Sequence, residues 1–195
     1  MTVRLLAFSD IHRDVDQCAR LVEMSEDADV VIAAGDFASI HKGLEETIGA
    51  LRPIERPTVL VPGNNETEDA LRAACDGWAA ATVLHGAGTD IDGVSFFGLG
   101  AGVPVTPWDW SFDLSDDEAA ERLAGCPDGG VLVVHSPPKG HLDRGFGSEA
   151  ILRTIEEKQP RVAVFGHIHE CGGQEDELGP TRLFNAGPTG TLIEL

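Results

Sequence analysis

At 195 residues, with 33 acidic against 14 basic side chains and a net charge of −19, the chain suits one self-contained domain whose surface repels nucleic-acid backbones and anionic membranes. No apolar stretch approaches the roughly 18 residues of a membrane helix, and the N-terminal apolar run, interrupted by Arg4, lacks a signal-peptide pattern. Cys18, Cys75, Cys126 and Cys171 share no CxxC spacing and read as free thiols, which fits a reducing cytoplasm.

In chain order, residues 3–9 form a short apolar run suited to a buried strand, and residues 13–26 carry Val15, Cys18, Ala19 and Val22 at helical spacing. Residues 30–34 read as a second strand, 42–51 as a helix, 58–61 as a third strand and 66–75 as a helix. This alternation implies right-handed crossovers and a parallel sheet buried on both faces. Residues 82–84 and 94–99 read as strands joined by a turn over 86–93, and 100–113 as a long ordered loop. Ser115 followed by Glu118 has capping-box spacing for a short helix to Leu123. Two further strands, 131–134 and 162–165, flank a helix over 148–158, and the tail, 181–184 with 189–195, reads as a closing hairpin. Lysine is confined to Lys42, Lys139 and Lys158, and this scarcity beside abundant carboxylate suits molar salt, where the Debye length falls to about 3 Å.

The polar residues that carry chemistry each follow an apolar run: Asp10 and His12, Asp36, Asn64 with Asn65 and Glu66, His135, then His167 and His169. Loops at strand C-termini are where such residues converge on one crevice. One-residue spacing on an extended backbone would point Asp10 and His12 the same way, and likewise His167 and His169. The two oxygens of Asp36 can bridge two cations. Carboxylate and imidazole together suit divalent manganese, iron or zinc better than calcium or a thiolate-bound metal.

Asp-x-His, Gly-Asp, Gly-Asn-x-Glu, a lone His and Gly-His-x-His, spread over residues 10–169, resemble the calcineurin-like metallophosphoesterase superfamily. His135-Ser136-Pro137-Pro138 and the run from Gly166 to Glu170 resemble its small prokaryotic branch. The resemblance implies an α/β fold, a four-layer α/β/β/α sandwich. It also implies two divalent metals, manganese first and iron, nickel, zinc or magnesium as alternatives. One would be held by Asp10, His12, Asp36 and His169, the other by Asp36, Asn64, His135 and His167. The implied reaction is phosphate-ester hydrolysis by a hydroxide bridging the metals, with a small phosphate ester as partner and neither stable nucleic-acid nor membrane binding. Oligomeric state stays open.

One position departs from the family, whose motif has His where this chain has Asn65. An amide can donate a hydrogen bond to phosphate but delivers no proton near neutral pH. General acid catalysis contributes about 10²–10⁴-fold, so Asn65 shifts the expectation from alkyl monoesters towards diesters or activated esters. Asn65 and Asp36 are the expected catalytic residues, and Arg144, His41 and His141 are candidates for substrate contact. A metal- or nucleotide-binding module with weakened catalysis is the alternative, and a non-catalytic scaffold a third. Other residues read as structural: Glu66 as a charge at a helix N-terminus, Gly35, Gly63 and Gly166 as turn formers, His85 and Asn185 as satisfied polar groups, and Trp108 and Trp110 as packing of a loop that could form a lid.

Overall fold

The computed structural model describes residues 2–195. Its elements run β1 (Arg4–Phe8), α1 (Val15–Ser25), β2 (Val30–Ala33), α2 (Leu44–Leu51), β3 (Thr58–Leu60), α3 (Glu68–Ala74), β4 (Ala81–Val83), β5 (Ala87–Ile91), β6 (Val94–Leu99), α4 (Asp116–Leu123), β7 (Val131–Val134), α5 (Glu149–Lys158), β8 (Val162–Phe165), β9 (Glu175–Leu178), β10 (Thr181–Asn185) and β11 (Thr191–Glu194). The first sheet has the order β11-β1-β2-β3-β4, with β1 to β4 parallel. In the second, β5-β6-β7-β8-β10-β9, antiparallel strands β5 and β9 edge a parallel centre.

The period-two alternation of buried strands assigns the layers. Leu6 and Phe8 of β1 pack with Cys18 and Leu21 of α1, Ile48 of α2 and Leu71 of α3. Their neighbours Leu5 and Ala7 point the other way, into an inter-sheet core with Val133, Val164 and Phe184. Beyond the second sheet, Leu132 and Val134 meet Leu123 of α4 and Ile151 and Ile155 of α5. The result is the α/β/β/α sandwich. Side-chain caps start four of the five α-helices, α2 excepted: Asp14 accepts from Gln17 N, Thr67 from Ala70 N and Ser148 from Ile151 N, and Ser115 with Glu118 forms the expected capping box. No helix among the described residues is long and apolar enough to cross a membrane. All four cysteines are buried and free.

Three expectations change. Residues 86–93 are more than a turn: β5 occupies most of them and pairs with β6, turning at Asp92-Gly93, while β4 belongs to the first sheet. Its Ala-Gly-Thr-Asp-Ile sequence lacks a strand's apolar signature because an edge strand covers little core. The acidic strand β9 is an edge for the same reason, and exposed charge there discourages pairing with another chain. The tail is not a hairpin, since β10 joins β8 and β9 while β11 crosses to pair with β1 in the other sheet.

Candidate metal centre

Parallel pairing sends the ends of β1, β2 and β3 to one rim, where they meet the ends of β7 and β8. Backbone hydrogen bonds join these loops: Asp10 N donates to Gly35 O (2.9 Å), His12 N to Asp36 O (3.0 Å) and Gly166 N to His135 O (3.0 Å). The extended geometry suggested by one-residue spacing is not what pairs the residues. Asp10, His12, Asp36 and His167 have φ of 56°, 44°, 59° and 67°, and His169 opens a 3-10 turn. Left-handed backbone is uncommon outside glycine, and its concentration here is the kind of strain that functional sites hold. Glycines make the close approach feasible, for reasons of space more than turning. A Cβ on Gly63 would stand 2.0 Å from Asp36 Oδ1, and one on Gly166 would stand 2.2 Å from Asp10 Oδ2. Asn185 is structural as expected, donating Nδ2–H to Gly166 O (3.2 Å) and Ile168 O (3.0 Å) under the histidine loop.

All seven expected ligands converge, in two groups that share Asp36. In the first, His12 donates Nδ1–H to Ala38 O (3.0 Å), which turns Nε2 into the cluster. That Nε2 lies 3.1 Å from His169 Nε2 and 3.5 Å from Asp36 Oδ2, and His169 Nε2 lies 3.6 Å from Asp10 Oδ1. In the second, His135 donates Nδ1–H to Ala34 O (2.8 Å), so its Nε2 faces Asn64 Oδ1 (3.2 Å), His167 Nδ1 (3.2 Å) and Asp36 Oδ1 (3.5 Å). Asn64 turns its oxygen inward because its amide N–H is given to Ser111 Oγ (2.8 Å). Nitrogen and oxygen acceptors crowded at these distances repel one another unless a hydrogen or a cation stands between them, and a divalent ion would serve each group. Ligand atoms about 2.1 Å from one ion stand about 3.0–3.4 Å apart, close to these spacings. The donor set therefore fits divalent metals.

Charge is concentrated accordingly. Burial opposes ionisation of Asp10, but the His169 hydrogen bond and the nearby His135 outweigh it and hold the carboxyl at about 2. Burial, and then the neighbouring His135, push His167 down to about 4, which favours its neutral form. Burial likewise disfavours charge on His135, yet the Asp36 and Asp10 carboxylates raise it.

The remaining candidates separate. Asn65 borders the cleft, but its amide is committed: Nδ2–H donates to Asp36 Oδ2 (2.7 Å) and Oδ1 accepts from Ile40 N (2.8 Å). Arg144 lines the cleft and forms no ion pair among the described residues. His41 and His141 lie outside the lining: His41 Nε2 donates to Trp110 O, and His141 pairs with Asp176 (2.8 Å). Glu66 sits before α3 rather than in it. It is 1% exposed and accepts N–H groups from Asp36 (2.8 Å), Ala38 (2.9 Å) and Gly63 (2.7 Å), a clamp on the loops after β2 and β3. Burial and the Asp36 carboxylate push its carboxyl up to about 7 against those donors. Trp108 and Trp110 stack at 5.6 Å and line the cleft instead of filling the loop. His85 is only half satisfied: Nδ1 accepts Gly100 N–H (3.1 Å), its buried Nε2 has no hydrogen-bond partner among the described residues, and burial lowers its pKa to about 4. Nothing in the sequence singles out Ser111 or Asp113. Asp113 Oδ1 accepts Ser111 Oγ–H (2.6 Å) and Oδ2 accepts from Thr106 N (2.8 Å), so Asp113 orients Asn64 through Ser111.

A two-sheet sandwich with this ligand cluster on one rim defines a phosphoesterase architecture. The profile of the calcineurin-like phosphoesterase superfamily domain matches residues 3–192, and the chain belongs to that superfamily. It is 31% identical to UPF0046 protein K07C11.7 of Caenorhabditis elegans over 94% of this chain and 69% of that protein. It is 38% identical to human metallophosphoesterase domain-containing protein 1, over 44% of this chain but only 29% of the relative. Among solved structures, the protein TT1561 of Thermus thermophilus superposes with a TM-score of 0.81, covering 100% of this chain and 99% of that one at 16% identity. A dimetal phosphatase from Danio rerio gives a TM-score of 0.63, covering 99% and 92% at 12% identity. At such identities the likeness is one of fold.

Proposed function

We propose that this protein is a metal-dependent phosphoesterase using two divalent cations, manganese foremost, and favouring phosphodiesters over simple alkyl monoesters. The observation that carries the reading is the division of Asp36: Oδ2 faces His12 and Oδ1 faces His135, so one carboxylate serves both ligand groups. Asp10, His12, Asp36 and His169 would hold one cation, and Asp36, Asn64, His135 and His167 the other. When bound, the cations supply charge neutralisation at phosphoryl oxygens and an activated water. The chain's own residues do the positioning. Glu66 fixes the backbone that carries Asp36, Asn65 steadies Asp36 by donating to its carboxylate, and Arg144, without an ion pair among the described residues, offers its guanidinium to an anionic substrate. Neither His41 nor His141 lines the cleft, and each holds a partner elsewhere, which supports the preference for leaving groups that need no proton. The dimetal phosphatase of Danio rerio, similar in fold, is in keeping with this chemistry.

One observation favours a second reading, a metal- or nucleotide-binding module of weakened catalysis: both polar atoms of the Asn65 amide already hold a partner within the protein. Hydrolysis of bis(p-nitrophenyl) phosphate and p-nitrophenyl phosphate, with manganese and high salt, separates the two. Diester turnover that Asp36→Ala abolishes supports the hydrolase. Silence on both esters in folded, metal-loaded protein supports the module. Free buried thiols and the acidic surface favour a cytoplasm of high salt content and a small phosphate ester, not nucleic acid or membrane, as partner.

A further inference from the structure

Among the described residues six large apolar side chains are prominently exposed, and four of them, Ile40, Val105, Trp108 and Phe146, line the cleft over the candidate metal centre. Val105 is 63% exposed and Phe146 67%, on a chain of net charge −19 that elsewhere covers itself with carboxylate. Exposed apolar surface gathered at one place marks a binding site more often than chance scatter. The cleft holds about 940 Å³, room for an organic group as well as a phosphate. Its loops are braced. Asp143 accepts N–H groups from Gly140 (2.8 Å), Gly145 (3.0 Å) and Gly147 (3.2 Å), so Arg144 and Phe146 are presented by a fixed backbone. Opposite, the Asp113 carboxylate ties the loop bearing Val105 and Trp108 back to Asn64.

We propose that this cleft takes phosphate esters whose leaving group is an aromatic alcohol, with the ring held against Val105, Trp108 and Phe146 beside the Arg144 guanidinium. The inference rests on the phosphoesterase reading and adds the substrate class. Two independent features point to it. The rim offers a ring a flat apolar contact that a small polar group such as glycerol would not use. The side chain at position 65 is an amide that is already engaged, so departure should be easiest for an anion of low basicity. An aromatic hydroxyl, with a pKa near about 10, meets that condition, and an alkyl alcohol does not. In the step, water forms the new P–O bond and loses its proton to solvent. The bond to the aryl oxygen breaks, and its electron pair leaves on the phenolate.

The test has a binding arm and a turnover arm. Phenylphosphonate and methylphosphonate, neither hydrolysable here, are titrated calorimetrically into manganese-loaded wild type and into Trp108→Ala and Phe146→Ala. Phenylphosphonate is expected to bind about tenfold more tightly to wild type, with the advantage shrinking several-fold in each variant. Equal binding of both phosphonates, or an advantage that survives both substitutions, overturns the ring seat. So does a dimer that the two substitutions dissolve, which would give the rim to a second copy. In the turnover arm, bis(p-nitrophenyl) phosphate is expected to be cleaved at least about a hundredfold faster than dibutyl phosphate, and comparable rates overturn the leaving-group assignment. Ring preference without turnover of any ester refutes the hydrolase reading alone and leaves the seat as a binding site.

Discussion

Replacing Glu66 with Ala tests whether this carboxylate is a clamp or merely a charge at a helix end, because the two roles differ several-fold in energy. Glu66 accepts three buried backbone N–H groups, at 2.7, 2.8 and 2.9 Å, from both loops that frame Asp36. A hydrogen bond to a charged group contributes about 1.5–3 kcal/mol, so three lost together have an upper bound of about 4–9 kcal/mol. Burial of the charge and its proximity to Asp36, the causes that raise its carboxyl to about 7, offset part of this. A net loss on the order of 3–5 kcal/mol remains. For a chain of this size each kcal/mol moves the midpoint by about 2–4 °C, so thermal unfolding of metal-free Glu66→Ala should drop by about 10 °C. Glu66→Gln, which keeps one acceptor oxygen, should lose roughly half as much. A favourable charge at a helix N-terminus contributes only about 0.3–1 kcal/mol. A drop under about 4 °C, monitored by circular dichroism, would therefore refute the clamp.

Gly63→Ala forces a Cβ to within 2.0 Å of Asp36 Oδ1, and manganese affinity by calorimetry should fall at least about tenfold; unchanged affinity would show that the loop yields freely. Asp113→Ala frees Ser111 and with it the Asn64 amide, so one of two manganese sites should weaken by about 10–100-fold while the other holds. Equal weakening of both sites would contradict that route. Asn65→His should raise turnover of alkyl monoesters by about 10²-fold or more relative to aryl diesters, and a folded, metal-loaded variant without that gain would remove the proton-donor argument. Going from 0.1 M to 1 M sodium chloride shortens the Debye length from about 10 Å to about 3 Å, so the melting temperature should rise as the net charge of −19 is screened. A flat or falling response would remove the basis for adaptation to salt.

The sequence by itself determined the buried strands and the polar residues that stand at their ends. Strands buried on both faces leave unbroken apolar runs such as Val-Leu-Val-Val at β7, and a polar residue directly after such a run has little choice but to stand at the sheet's rim. Asp10, Asp36, Asn64, His135 and His167 are legible for that reason. Periodicity is a local signal, however, and pairing is not local. Only the tertiary structure decided that β4 and β6 lie in different sheets, that β10 and β11 part company, and that the weakly apolar β5 and acidic β9 are edge strands. The same holds for polar groups. Glu66 looks like a helix-end charge until the N–H groups of Asp36 and Ala38, some thirty residues away, are seen to depend on it. Ser111 and Asp113 gain meaning only when 47 residues of separation from Asn64 close to 2.8 Å. Hydrophobic burial is written in each segment's own composition, whereas the partner of a buried polar atom is chosen by where the rest of the chain has already been placed.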